Sequence, residues 1–390
     1  MKGWIALLLS LATVTSSAPA CASDSPVAPA PPVRPGAVTW PEPTHTVLVP
    51  QTDAEKAAGQ EAGRALPQPE ILQPELDPAL AHYVPTPGLT ISRRFKVGSS
   101  DVLPGLVQAW TKAFQAYHPG FGLEIQKPYA GSLGALELIK GNLDFVFVSR
   151  ELKPSDIGGF KDKFGYEPFS VPISGGSWRQ FGFLDAVGFM VNPDNPIRQL
   201  SFAQLDALYS STHHRGGRAA RTWGDFGLTG AWAKRAVTLY GIAPWNGYEE
   251  FIRQRVLSTP GHRGEWRDGI HYDPTFYLAA RRVAADKGAI GYTGLSAIDS
   301  EVKMVPVSVD SSGPFLTPSY ENVARATYPL SRVLYLNANA KPGTGLDLAL
   351  GEFLKFILCR EGQSVVREQA IYLPLRANQA VASQQYVATH

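Results

Sequence analysis

The amino-acid sequence predicts an α/β protein with mainly parallel sheets, and three observations carry that prediction. Apolar runs of strand length alternate with stretches of helical periodicity from about residue 91 onward. Two of the strand-to-helix junctions, Gly98-Ser99-Ser100-Asp101 and Ala130-Gly131-Ser132-Leu133-Gly134, are loops of small and hydroxyl residues. An excursion of roughly a hundred residues then separates the strand after Phe181 from strands returning at 302–309 and 332–336, as a second lobe inserted into the first requires.

Taken in order, the chain opens with Lys2, an apolar core over residues 4–14 and small residues Ala20-Cys21-Ala22 before Ser23. This is the pattern of a secretory signal peptide, assigned to residues 1–22, and it predicts a periplasmic or extracellular protein. Cys21 leaves acylation as a lipoprotein open as the alternative. With the signal removed, Cys359 is the remaining cysteine, so no internal disulfide is expected. Its apolar neighbours Phe356, Ile357 and Leu358 make it a buried small hydrophobe. Residues 23–90 are rich in Pro, Ala, Gln and Glu without a sustained period, and are read as a largely disordered linker. The net charge of +2 does not support nucleic-acid binding, and the basic run at 213–221 is read as a solvated loop.

The first lobe is assigned to residues 91–180 and 302–376. Its first helix presents Leu103, Leu106, Val107, Trp110, Phe114 and Tyr117 on one face. Its second carries Leu133, Leu136 and Ile139 and stops at Gly141-Asn142, and residues 143–148 follow as a buried parallel strand. A helix over 154–164 and a strand over 168–173 complete this part. The second lobe, 181–301, begins with a long strand over 181–191 that breaks at Asn192-Pro193-Asp194-Asn195-Pro196. Ser201-Phe202-Ala203-Gln204 is a capping box. A strand over 236–240 leads to a helix with Tyr248, Phe251, Ile252 and Val256 on one face. Asp273-Pro274 opens another helix, and the strand over 289–292 holds Gly291 where another backbone is expected to come close. Residues 377–390 are left as a C-terminal tail.

The candidate chemistry lies in the junction loops. Free amides and the positive dipole end at a helix start attract an anion. Ser132 with the amides of Leu133 and Gly134 is the foremost candidate, the alternative being a plain serine N-cap. Ser99 and Ser100 are similar. Asp101 is read as the N-cap of its helix, or else as an acceptor for a protonated oxyanion. Ser149-Arg150 stands at the C-terminal end of a parallel strand, the edge where open α/β sheets bind ligands. Arg150 supplies a planar fork for an oxyanion, or an ion pair with Glu151 or Asp156. The sequence has neither a His-Glu-x-x-His nor a Gly-x-Ser-x-Gly pattern, so an enzyme, a metal centre or a cofactor is not expected.

Seven strings in order resemble one family. They are Gly98-Ser99-Ser100, Gly131-Ser132-Leu133-Gly134, Val148-Ser149-Arg150-Glu151-Leu152, Val191-Asn192-Pro193-Asp194-Asn195-Pro196, Gly288-Ala289-Ile290-Gly291-Tyr292, Tyr328-Pro329-Leu330-Ser331-Arg332 and Tyr372-Leu373-Pro374-Leu375. Together they resemble the phosphate-binding proteins of bacterial phosphate ABC transporters (PstS-like), among the type II periplasmic binding proteins. The resemblance implies two α/β lobes on a two-strand hinge and a tetrahedral oxyanion, inorganic phosphate first, clamped between them. It also implies an ABC permease as partner and a monomeric, non-enzymatic protein. Two departures stand out. Gly241-Ile242-Ala243-Pro244-Trp245-Asn246-Gly247 replaces the Arg and Ser-Gly-Thr of many members, leaving Asn246 as the polar candidate there, and Val102 replaces a usual Thr. A sensor or interaction protein on the same fold that has lost phosphate is the alternative function.

Overall fold

The computed structural model describes residues 47–48, a few positions between 52 and 61, and 74–390 apart from 128–130, 181–183, 243–246, 274–277 and 299–300. A two-residue strand β1 (Val47–Leu48) precedes the first lobe. That lobe runs β2 (Ser92–Ser99), α1 (Pro104–Gln115), β3 (Gly120–Ile125), α2 (Gly131–Lys140), β4 (Phe145–Val148), α3 (Pro154–Phe164) and β5 (Phe169–Gly175). The second holds β6 (Val187–Val191), β7 (Leu200–Ser201), α4 (Phe202–Tyr209), β8 (Thr238–Ile242) and α5 (Gly247–Ile252), which continues as a π turn (Arg253–Leu257). It goes on through β9 (Ile270–Asp273), α6 (Ala279–Ala285), β10 (Ala289–Gly294), β11 (Lys303–Met304), β12 (Val307–Ser308) and α7 (Tyr320–Ala324). The chain then returns through β13 (Val333–Ala338), α8 (Leu348–Ile357), α9 (Arg360–Glu368) and α10 (Ala377–Ala388).

The first sheet has the order β3-β2-β4-β13-β5, with β2, β3 and β4 parallel and β13 antiparallel to both its neighbours. β4 is buried throughout because both its faces are covered. Phe145 and Phe147 join α1 and α8 on one side, while Val146 and Val148 meet Leu138 and Phe160 on the other. α1 buries Leu106, Val107, Trp110 and Phe114 as the period predicts, with Trp110 Nε1 donating to Gly362 O at 2.8 Å. The inward face of α2 differs from the expected one: Ala135 and Leu138 are buried, and Leu136 is 47% exposed. Gly141 ends α2 in the left-handed region, φ 86°, and its amide and that of Asn142 return to Glu137 O.

The second sheet has the order β1-β9-β8-β10-β6-β11, parallel through β10 and antiparallel beyond. Gly291 is required in β10, since a Cβ there would lie 2.8 Å from Val283 Cγ2. Two backbone crossings join the lobes side by side, Gly176 N to Arg332 O at 2.7 Å and Val187 N to Leu330 O at 3.1 Å. Together they form the two-strand hinge.

Several boundaries differ from expectation. Residues 302–330 belong with the second lobe, because β11 pairs with β6, β12 pairs with β7, and Val305, Val307, Val323 and Leu330 enter its core. The return to the first lobe therefore comes near Arg332. The strand expected over 181–191 starts at Val187, after Leu184 in the left-handed region, φ 59°. Asp273 ends β9 opposite Ile242 and pairs with Arg282 at 3.1 Å, while the helix start expected at Asp273-Pro274 lies outside the described residues, which resume before α6. The tail is helix α10, seated by Ala380 and Ser383 and by Tyr386 stacked on Phe169. From residue 74 the expected linker is part of the fold: Leu80 and Tyr83 are buried, and Tyr83 Oη donates to Glu352 Oε1 at 2.8 Å. Upstream, β1 adds an edge strand to the second sheet, so the N-terminal segment touches both lobes. In the basic run, Arg215 is not solvated: it donates to Val256 O, Arg255 O and Ser258 O and pins the π turn.

Candidate functional site

Three parallel strands of the first lobe end at one edge, and the loops after β2 and β4 are tied together there. Ser99 and Ser100, both 1% exposed, follow β2. The Ser100 amide donates to Phe147 O at 2.9 Å, and Ser100 Oγ accepts from the Ser149 amide at 3.1 Å. One hydroxyl thus ties the loop after β2 to the end of β4. Ser99 Oγ donates to Ser100 O at 2.9 Å. Ser132, Leu133 and Gly134 lie in the first turn of α2, and their side chains fall outside the described residues. Asn246 is likewise outside them. The structure brings Ser99, Ser100 and Ser149 together at this edge.

Asp101 is not the N-cap. Leu103 holds that position without a side-chain cap bond, and Asp101 is exposed. The loop is shaped without it, by Leu103 N to Ser100 O at 3.1 Å and by Tyr372 Oη donating to Val102 O at 2.7 Å. Arg150 makes the ion pair that was its alternative reading: Nη1 donates to Asp156 Oδ2 at 2.7 Å and to Glu151 O at 2.8 Å. Asp156 also accepts from Lys153 N at 2.9 Å, so the pair is built into the start of α3. Both of these bonds are made through Nη1.

A second group was missed from sequence. At the hinge, Asp185 is fully buried, accepts from Tyr248 Oη and takes the Ser296 amide at 2.7 Å. Burial pushes its carboxyl above the usual range, against the hydrogen bonds of Tyr248 and Ser296 and the charge of Arg332. Arg332 and Glu151, 181 residues apart, meet at 3.5 Å and are 3% and 2% exposed on their side chains. Arg332 Cζ lies 5.0 Å from the Tyr248 ring centroid and 4.9 Å from that of Phe251. Gln254 on the π turn reaches across to Leu152 O at 3.3 Å. The only local signal was a Ser-Arg pair just ahead of a strand. By contrast Trp178 and Arg179 bond backbone carbonyls, Pro318 O, Leu295 O and Ile298 O, and hold the interlobe loop.

The strand edge and the hinge together hold hydroxyls, backbone amides and two guanidinium groups. Among the described residues no group of three or more His, Cys, Asp or Glu is placed to hold a metal ion. Cys359 is buried at the start of α9, where burial raises its thiol to about 11 and leaves it unreactive.

Comparison with known proteins agrees with this geometry. A family model described as a PBP superfamily domain matches residues 85–361. The phosphate-binding protein PstS of Pseudomonas aeruginosa is 32% identical over 307 residues, covering 78% of this chain and 90% of that protein. The phosphate-binding protein PstS of Staphylococcus epidermidis is 25% identical over 271 residues, covering 68% and 74%. An ABC-type phosphate transport receptor from Vibrio cholerae superposes with a TM-score of 0.47 at 17% identity, over 73% of this chain and 100% of that one, and at that score carries no weight. Matched by the family model over most of its length, and by the Pseudomonas protein over most of both chains, this chain belongs to the PstS-like family of the PBP superfamily.

Proposed function

We propose that this protein is an exported, non-enzymatic solute-binding protein that captures a small oxyanion, phosphate first, and delivers it to an ABC-type permease. The observation that carries the proposal is the convergence of Ser99, Ser100 and Ser149-Arg150 on the C-terminal edge of the first sheet, beside the first turn of α2. Buried hydroxyls and amides suit a ligand rich in acceptor oxygens, and the Arg150 edge not used on Asp156 adds charge-assisted bonds. The Ser132, Leu133 and Gly134 amides complete the first-lobe half of the clamp in this proposal, and Asn246 is its polar candidate in the second lobe's sequence. The family relationship to PstS proteins supports phosphate as the first ligand to try. Export follows from the signal-like residues 1–22, and no described helix is long and apolar enough to cross a membrane. Capture and release require no partner copy, so the protein acts as a monomer.

Isothermal calorimetry on the mature protein with phosphate, sulfate and a panel of small solutes tests the proposal. Phosphate is expected to bind with a micromolar or lower dissociation constant. Millimolar or absent binding of every oxyanion would end the transport assignment.

A further inference from the structure

We propose that Arg332 is an anion-binding residue of the cleft and that Glu151 is the counter-charge it exchanges for the ligand. The proposal rests on the cleft being an oxyanion site. It starts from an inventory of positive charge. The loops at 98–103, 130–134 and 241–247 contain no Lys or Arg. Arg179 is spent on backbone carbonyls, and Arg150 commits Nη1 to Asp156. Arg332 stands at the junction of both lobes, joined to Glu151 just beyond Ser149-Arg150 and stacked on Tyr248 and Phe251 of α5.

Its bond to Glu151 is loose. At 3.5 Å it is far from the 2.7 and 2.8 Å of the two-pronged Arg263–Glu250 pair in the same protein. Arg332 Nε, Glu151 Oε1 and Ser331 Oγ are all buried without a hydrogen-bond partner among the described residues. A charged donor left unpaired in the interior is costly, and an oxyanion repays that cost. The surroundings favour a negative guest. Arg255 and Arg332 both lie close to Tyr335, and burial drives the hinge carboxyl Asp185 toward its neutral form. The two rings hold the guanidinium plane, so the exchange needs a shift of the partner rather than of the arginine.

Phosphate titrations by calorimetry on the full mature chain, with a thermal melt of each variant, test this. Arg332→Lys keeps the charge but loses the fork, and is expected to weaken phosphate about tenfold or more. Glu151→Gln removes the competitor while keeping the shape, and is expected to tighten phosphate about threefold or more. The second variant guards against loss of fold in the first. If Arg332 and Glu151 are merely a structural pair, Glu151→Gln lowers the melting temperature and leaves phosphate affinity unchanged, which overturns the proposal. Absence of phosphate binding by the wild type ends the cleft assignment and this proposal together. Wild-type binding with unchanged affinity in both variants overturns this proposal alone.

Discussion

In the first lobe Phe114 meets Phe121, Phe353 and Phe356 at centroid distances of 4.8, 5.1 and 5.4 Å, whereas in the second lobe ion pairs are buried beside the apolar residues of α5, Phe251 and Ile252. There Glu249 takes Arg253 and the Trp266 indole, and Glu250 takes both Nη atoms of Arg263. Asp206 and Asp273 are buried in that lobe too, while in the first the buried carboxylates are Glu151 at the hinge and Glu352, on the outer flank with Tyr83 and Thr86. Ring packing is non-directional and indifferent to pH; a buried ion network is directional and titrates. The platform that holds the serines is thus fixed by apolar burial. The second lobe adds a buried ion network to its own apolar core, and it is there that pH should act.

The largest effect is expected from breaking the apolar side. Phe114→Ala removes the centre of the ring cluster and should cost about 3–5 kcal/mol of unfolding free energy, measured by denaturant titration. A loss under about 1 kcal/mol would mean that the cluster collapses around the gap and does not set the lobe's rigidity.

The ionic side should break differently. Burial raises the Glu249 carboxyl to about 7, against the attraction of Arg253. The folded state therefore holds this proton up to a higher pH than the unfolded chain does. Stability from Glu249 is full below the unfolded value and is lost as pH rises through about 7. Arg253→Met leaves that carboxylate buried and uncompensated, so it should cost about 3 kcal/mol at pH 8 and visibly less at pH 5. Unfolding curves of wild type and variant at the two pH values decide it. An equal deficit at both would show that Glu249 does not titrate in this range, and the contrast between the lobes would lose its main consequence.

Sequence revealed what local pattern determines. β4 is an unbroken apolar run, Gly141 supplies the left-handed stop of α2, and Ser201 with Gln204 forms the capping box that was read from four residues. It failed where tertiary pairing overrides the local signal. On α2, Leu136, Leu138 and Ile139 fit two faces, and contact with Val146, Val148 and Phe160 selects Leu138. The run 302–309 is apolar enough for either lobe, and register with β6 and β7 assigns it to the second. Of the candidate site, the nearness of Ser99, Ser100 and Ser149 was legible because they stand at the ends of neighbouring parallel strands. Arg332, Glu151 and Asp185 were not, since charges brought together over such chain separations leave no period to read.

The smallest effect is expected at Asp101, and a null result there is informative. A carboxylate aimed into the cleft would accept a bond from protonated phosphate and repel sulfate, so Asp101→Asn would shift the balance toward sulfate. The structure instead leaves Asp101 exposed, neither capping α1 nor shaping its own loop, which is held by Ser100 N to Phe147 O at 2.9 Å and by the Tyr372 hydroxyl on Val102 O. Asp101→Asn should accordingly change stability by less than about 0.5 kcal/mol, as surface substitutions do. It should also leave the phosphate-to-sulfate affinity ratio within about twofold of wild type, a difference of about 0.4 kcal/mol. Titration of both anions into both proteins at one fixed pH measures it. A tenfold fall in that ratio would mean that the loop after β2 turns Asp101 inward when ligand binds, and that the hinge is not the only part of this protein to move.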